Sequence, residues 1–188
     1  MEADWEIEIG GDAPVIDGCW DGLVDLRRFP ERAAGLAESR LLPGLAEALA
    51  QLNSVISPVW TSKCDVWSPE EFAPDEMEAT EEEGKWAIAC YIDLLPRTDQ
   101  EWKPLQAAVD ACKSYCLHFH EAPLRCCRAD LVVRRAWSAS LEEDVGITAY
   151  LTASGRSLDQ ARTVLMMALG VLVDAVVNQA RCGSGDKS

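Results

Sequence analysis

The segment Pro58-Val-Trp-Thr-Ser-Lys-Cys-Asp-Val-Trp67 matches Pro123-Leu-Arg-Cys-Cys-Arg-Ala-Asp-Leu-Val132 at a constant offset of 65 residues. Pro58 falls on Pro123, Lys63 on Arg128, Asp65 on Asp130 and Val66 on Leu131. A second match follows at an offset of 59. There Ile88, Cys90, Tyr91, Ile92 and Leu94 fall on Ile147, Ala149, Tyr150, Leu151 and Ala153. The shorter offset puts six extra residues between the two matched segments of the first copy. Self-similarity over this distance points to one supersecondary unit used more than once.

Each copy reads strand, strand, helix. The strands rest on alternation: Trp86, Ile88, Cys90, Ile92 and Leu94 point one way, and Ala87, Ala89, Tyr91, Asp93 and Leu95 the other. The helices, over Gln100–His118 and Leu158–Gln179, rest on a 3.6-residue rhythm such as Trp102, Leu105, Val109, Cys112 and Cys116. The amino-terminal third reads as a degenerate third copy. Trp5–Ile9 alternates as a strand, Val15–Leu26 as another interrupted by Gly18 and Gly22, and Leu41–Leu52 as a helix after a helical piece from Pro30 to Ser39.

These units, about 1–57, 58–122 and 123–182, imply a single α+β domain with a flexible tail over 183–188. The expected sheet is mostly antiparallel, with helices on one face. The middle of the chain also has the βαββαβ order of a ferredoxin-like fold. Val164-Leu-Met-Met-Ala-Leu-Gly-Val-Leu-Val173 is apolar all round. A helix on one sheet keeps a polar stripe, so this one is either covered by neighbouring helices or forms a homodimer interface across 158–179.

Composition narrows the function classes. The 188 residues carry 32 acidic and 17 basic side chains, a formal net charge of −15. A phosphate backbone repels such a surface, which argues against nucleic-acid binding. The uninterrupted apolar run is about half of a membrane span. No basic segment followed by an apolar run opens the chain, and the eight cysteines sit mostly in apolar segments, so a reducing cytoplasm is expected. Glu70–Glu83 holds eight carboxylates and no basic residue, at the position of the six-residue insertion. It reads either as a solvated loop or as an acidic lure for a basic partner.

Three kinds of site remain. The polar side of the strands collects Lys63, Asp65, Tyr91 and Asp93 from one copy, and Arg128, Asp130, Arg134, Tyr150 and Thr152 from the other. Such a set is either an ordinary wet sheet face or a protein-binding surface anchored by the tyrosines. The second kind is a zinc or copper site from Cys116, His118, His120 and Cys126, because thiolates and imidazoles suit those ions and a His-x-His pair on an extended segment points both rings one way. Against it, Cys112 and Cys116 fall on Val171 and Ala175 in the other copy, plain core positions. The third is an enzyme using a small-ligand pocket near Asp65, Asp93, Arg128 and Asp130. No nucleophile stands out, and neither GxGxxG nor GxxxxGK[ST] occurs. The leading expectation is a cytoplasmic protein-binding module that neutralises a basic partner, as immunity proteins and antitoxins do, through the polar sheet face and the acidic loop.

Overall fold

A computed structural model describes residues 1–98, 102, 105–137 and 143–183. The fold is α+β. Its mixed sheet has strands β1 (Glu2–Glu8), β2 (Ile16–Asp17), β3 (Val59–Trp67), β4 (Trp86–Pro96), β5 (Cys127–Trp137) and β6 (Glu143–Gly155). The spatial order is β1-β5-β6-β4-β3, with β2 beside the end of β5. β3–β4, β4–β6 and β6–β5 pair antiparallel, whereas β1 and β2 both run parallel to β5. The amino-terminal strands therefore do not form a hairpin of their own. The second of them is also much shorter than Val15–Leu26.

Alternation decides which side of the sheet is dry. Ile88, Cys90, Ile92 and Leu94 on β4 are buried, as are Ala129, Leu131 and Val133 on β5 and Ile147, Ala149 and Leu151 on β6. Their side chains form one core with the helices. The helical piece expected over Pro30–Ser39 is a 3₁₀ turn (Pro30–Gly35) followed by α1 (Ala37–Leu41), and the helix expected over Leu41–Leu52 starts four residues later, as α2 (Leu45–Leu52). Pro43 disfavours helical geometry at the residue before it, and Leu42 is extended. Gly44 then takes a left-handed φ of 89°, which a side chain resists.

α3 (Leu105–Glu121) lies against β1 and β5, and α4 (Leu158–Gly183) against β4 and β6. The expected helical start at Gln100 and the tail beyond 183 lie outside the described residues. By length and composition, Leu158–Val177 is long and apolar enough to cross a membrane. In this fold it is the middle helix, with α2 and α3 on its flanks. Leu165, Ala168, Leu172 and Val176 are buried beneath it, and Met166 and Met167 remain exposed. Neighbours on several sides thus cover part of the apolar pattern, and the two methionines leave an apolar strip on the outer side.

Each edge strand turns a backbone N–H onto its own carboxylate. Trp5 N–H donates to Asp4 at 2.8 Å on β1, and Val66 N–H to Asp65 at 2.7 Å on β3. These contacts occupy donors that would otherwise invite another strand.

The opposite sheet face is covered at both ends. At one end Ile16, Trp60, Leu95 and Ala136 make a small second core, with Leu23 against it. β6 passes close beneath it at Gly146. A Cβ there would lie 2.7 Å from Ile16 Cδ1 and 2.9 Å from the Leu94 carbonyl oxygen. The backbone contact cannot rotate away, so Gly146→Ala is expected to lower stability by about 1–3 kcal/mol in a urea melt. An unchanged midpoint would contradict this packing.

Candidate functional site

Between the two covered ends runs an open band. Pairing across the sheet puts Asp65 opposite Tyr91, Tyr91 opposite Tyr150, Tyr150 opposite Asp130, and Asp130 opposite Asp4. One row thus crosses the face from edge to edge. The tyrosine rings meet at 5.9 Å between centroids, and Trp67 stands 6.3 Å from Tyr91. Burial pushes the Tyr91 phenol up to about 12, with Asp93 and Asp65 adding to it. At neutral pH it is a neutral hydrogen-bond donor.

The next rows hold the cations. Arg128 pairs with Asp130 at 2.8 Å and with Glu76 of the acidic loop at 3.3 Å. Arg134 reaches Glu8 at 2.7 Å, the Tyr150 hydroxyl at 2.9 Å and Thr148 Oγ1 at 3.3 Å. Thr148 in turn donates to Asp93 at 2.7 Å. Burial pushes the Asp93 carboxyl above its ordinary range, against the lowering effects of Thr148, Arg134 and Lys63. Lys63 sits where the register of β3 shifts and lies 5.4 Å from the Trp20 ring centroid. Thr152 lies beside Arg128 in a hollow under the loop.

The acidic loop is fastened to this face. It carries a 3₁₀ turn, Pro74–Met77, whose Met77 is buried. The Cys126 N–H donates to the Met77 carbonyl at 3.0 Å, and Arg125 donates to the Glu78 carbonyl at 2.9 Å. Glu71, Phe72 and Glu76 then line the hollow over Ala89 and Arg128. The loop borders the tyrosine band directly.

Sequence reasoning brought the tyrosines, Asp65, Asp93, Asp130 and both arginines to one face, and they stand there. It missed three features. One is the acidic row Glu2, Asp4, Glu6 and Glu8 on β1, which faces Arg128, Asp130, Val132 and Arg134. Its signal was visible, because every second residue of β1 is a carboxylate. Another is Thr148, which joins Asp93 to Arg134. The last is a groove of about 340 Å³ beside the band, lined by Trp20, Leu36, Glu38, Lys63, Asp65 and Tyr91 among others.

The two histidines of the thiol and imidazole set do not point to one side. His118 and His120 lie in α3, not on an extended segment, so their side chains leave the helix about 200° apart. His118 Nδ1 is 3.0 Å from the Ser114 carbonyl, and Phe119, between the two histidines in sequence, is buried in the core. Cys116 turns into the core, and Cys126 follows the helix at a φ of 61°. Among the described residues no group of three or more His, Cys, Asp or Glu side chains could hold a metal ion. Burial pushes Cys64 and Cys112 up to about 12, and Cys116 and Cys127 to about 11. Those thiols stay protonated at neutral pH, and the thiolate is the nucleophilic form. What the band offers is hydrogen bonding, aromatic surface and negative charge.

Comparison with protein-family models, with curated proteins and with solved structures gave no match.

Proposed function

We propose that this protein binds a basic protein partner through the open sheet face and the bordering acidic loop, and masks it by doing so. The central row of Asp4, Asp130, Tyr150, Tyr91 and Asp65 carries the reading. The arginines of the face are already engaged by Asp130, Glu76, Glu8 and Tyr150. Glu2, Glu6 and Asp65 have no ion pair among the described residues, so the face presents excess negative charge around two aromatic rings. Tyrosine supplies a large contact area at low entropy cost, and surrounding carboxylates steer a cationic partner and reject an acidic one.

The test is capture on immobilised protein from an extract of the native host, run in parallel with a Tyr91→Ala/Tyr150→Ala variant of unchanged circular dichroism. A basic protein retained by the first, lost by the second, and released as salt rises from about 0.05 to about 0.3 M is the expected result. Identical capture by both proteins, or retention indifferent to salt, overturns the reading.

A further inference from the structure

The groove beside the band has its own chemistry. Its floor is apolar, from Val24, Leu26, Leu36 and Leu49. Trp20 and Tyr91 provide aromatic surface, and Glu38 and Asp65 stand at its rim. Trp20 is held by its indole N–H, which donates to the Ser62 carbonyl at 3.4 Å. The turn that presents the ring passes through Gly22 at a φ of 99°, where a Cβ would come 3.0 Å from the indole.

Two observations give the groove a sign. The Cys64 thiol within it is raised by burial and then by the negative charges of Glu38, Asp65 and Asp93. The chain also places a cation of its own, the Lys63 ammonium, over the Trp20 face. The Glu38 and Asp65 carboxylates have no ion pair among the described residues. Their two charges outweigh the single Lys63. At about 340 Å³ the groove is at the small end of ligand sites, suited to one long side chain rather than a large cofactor.

We infer that this groove receives an arginine side chain of the basic partner, its stem on the leucine floor, its guanidinium stacked on Trp20 and paired with Glu38 and Asp65. Arginine fits better than lysine because a planar guanidinium both stacks on an aromatic face and engages carboxylates through several donors. The same packing occurs nearby within the chain, where the Arg27 guanidinium carbon lies 4.0 Å from the Trp60 ring centroid.

This inference rests on the proposed docking of a basic protein, but its test needs no partner. N-acetyl-arginine amide is titrated into the isotopically labelled protein while the Trp20 indole N–H resonance, assigned with Trp20→Phe, is followed. Saturable movement of that signal is expected, with little from the neutral isostere N-acetyl-citrulline amide. Glu38→Gln should weaken binding about fivefold or more. Lys63→Met should strengthen it several-fold, because it removes a competing like charge. A Trp20 signal that does not move, equal response to citrulline, or loss of binding in Lys63→Met overturns the assignment. The last result would mean that Lys63 anchors an anion. Failure here leaves the tyrosine-dependent capture standing, and failure of capture leaves this titration interpretable.

Discussion

Arg134→Ala should lower stability by about 2–4 kcal/mol, a fall in Tm of about 5–15 °C for a chain of this length. The Arg134 side chain is only 12% exposed, and it ties three strands together: Glu8 on β1, its own β5, and Tyr150 and Thr148 on β6. Removing it leaves Glu8 and the Tyr150 hydroxyl without their donor. The loss stays below that of a fully buried pair because Glu8 is 38% exposed and water partly replaces the arginine. Arg134→Lys should recover only part of it, since an ammonium cannot span Glu8 and Tyr150 as a guanidinium does.

The same substitution should make stability more sensitive to pH. Asp93 is raised chiefly by burial and held down in part by Arg134, so without the arginine its carboxyl rises further. A group whose folded value lies above its unfolded one binds its proton more tightly when folded. Its contribution is then complete below the ordinary value of 3.8 and is lost as pH rises through the raised value. The Arg134→Ala defect should therefore be larger at neutral pH than in acid. Asp93→Asn, which can still accept the Thr148 hydroxyl, should restore part of it at neutral pH. Chemical denaturation of the two single variants and the double variant across pH measures the coupling. A defect independent of pH would mean that Arg134 and Asp93 do not sense one another.

These residues also mark how far the sequence could be read. A period of two assigns every strand residue to a face, so Tyr91, Tyr150, Asp65 and Asp130 could be placed together before any register was known. The neighbour of a strand is another matter. Glu2-Ala-Asp-Trp-Glu-Ile-Glu8 alternates equally well in a hairpin or beside β5, and only the fold selects the parallel pairing. The His118-Phe-His120 pattern fits a strand as well as a helix end, and continuation of the α3 rhythm decides for the helix. The groove was beyond reach for a different reason. Its walls come from Trp20–Leu26, Leu36–Glu38, Leu49 and β3, segments brought together by tertiary packing and by no local rule. The glycines at 18 and 22 read as interruptions of a strand. In the fold that strand shrinks to Ile16–Asp17, and the chain beyond it turns to carry Trp20 over β3.

Replacing Tyr91 or Tyr150 by alanine should cost about 2 kcal/mol of partner binding each, roughly a 30-fold loss of affinity. The double variant should lose less than the product of the two, because the rings lie against one another, tilted by 49° with centroids 5.9 Å apart, and each single change already disturbs the other. The loop should behave differently. Glu71→Gln together with Glu76→Gln removes charge at the border of the band without removing aromatic area. It should slow association and flatten the salt dependence, and leave the dissociation rate nearly unchanged. Surface plasmon resonance against the captured partner separates the two effects. If the tyrosines altered only association, or the loop only dissociation, the anchors and the steering charges would have been assigned the wrong way round. Tyr91→Phe refines the point. Its neutral phenol lies between Asp65 and Tyr150 in the row, so loss of the hydroxyl alone reports a hydrogen bond to the partner, whereas full retention of affinity would leave the ring itself as the anchor.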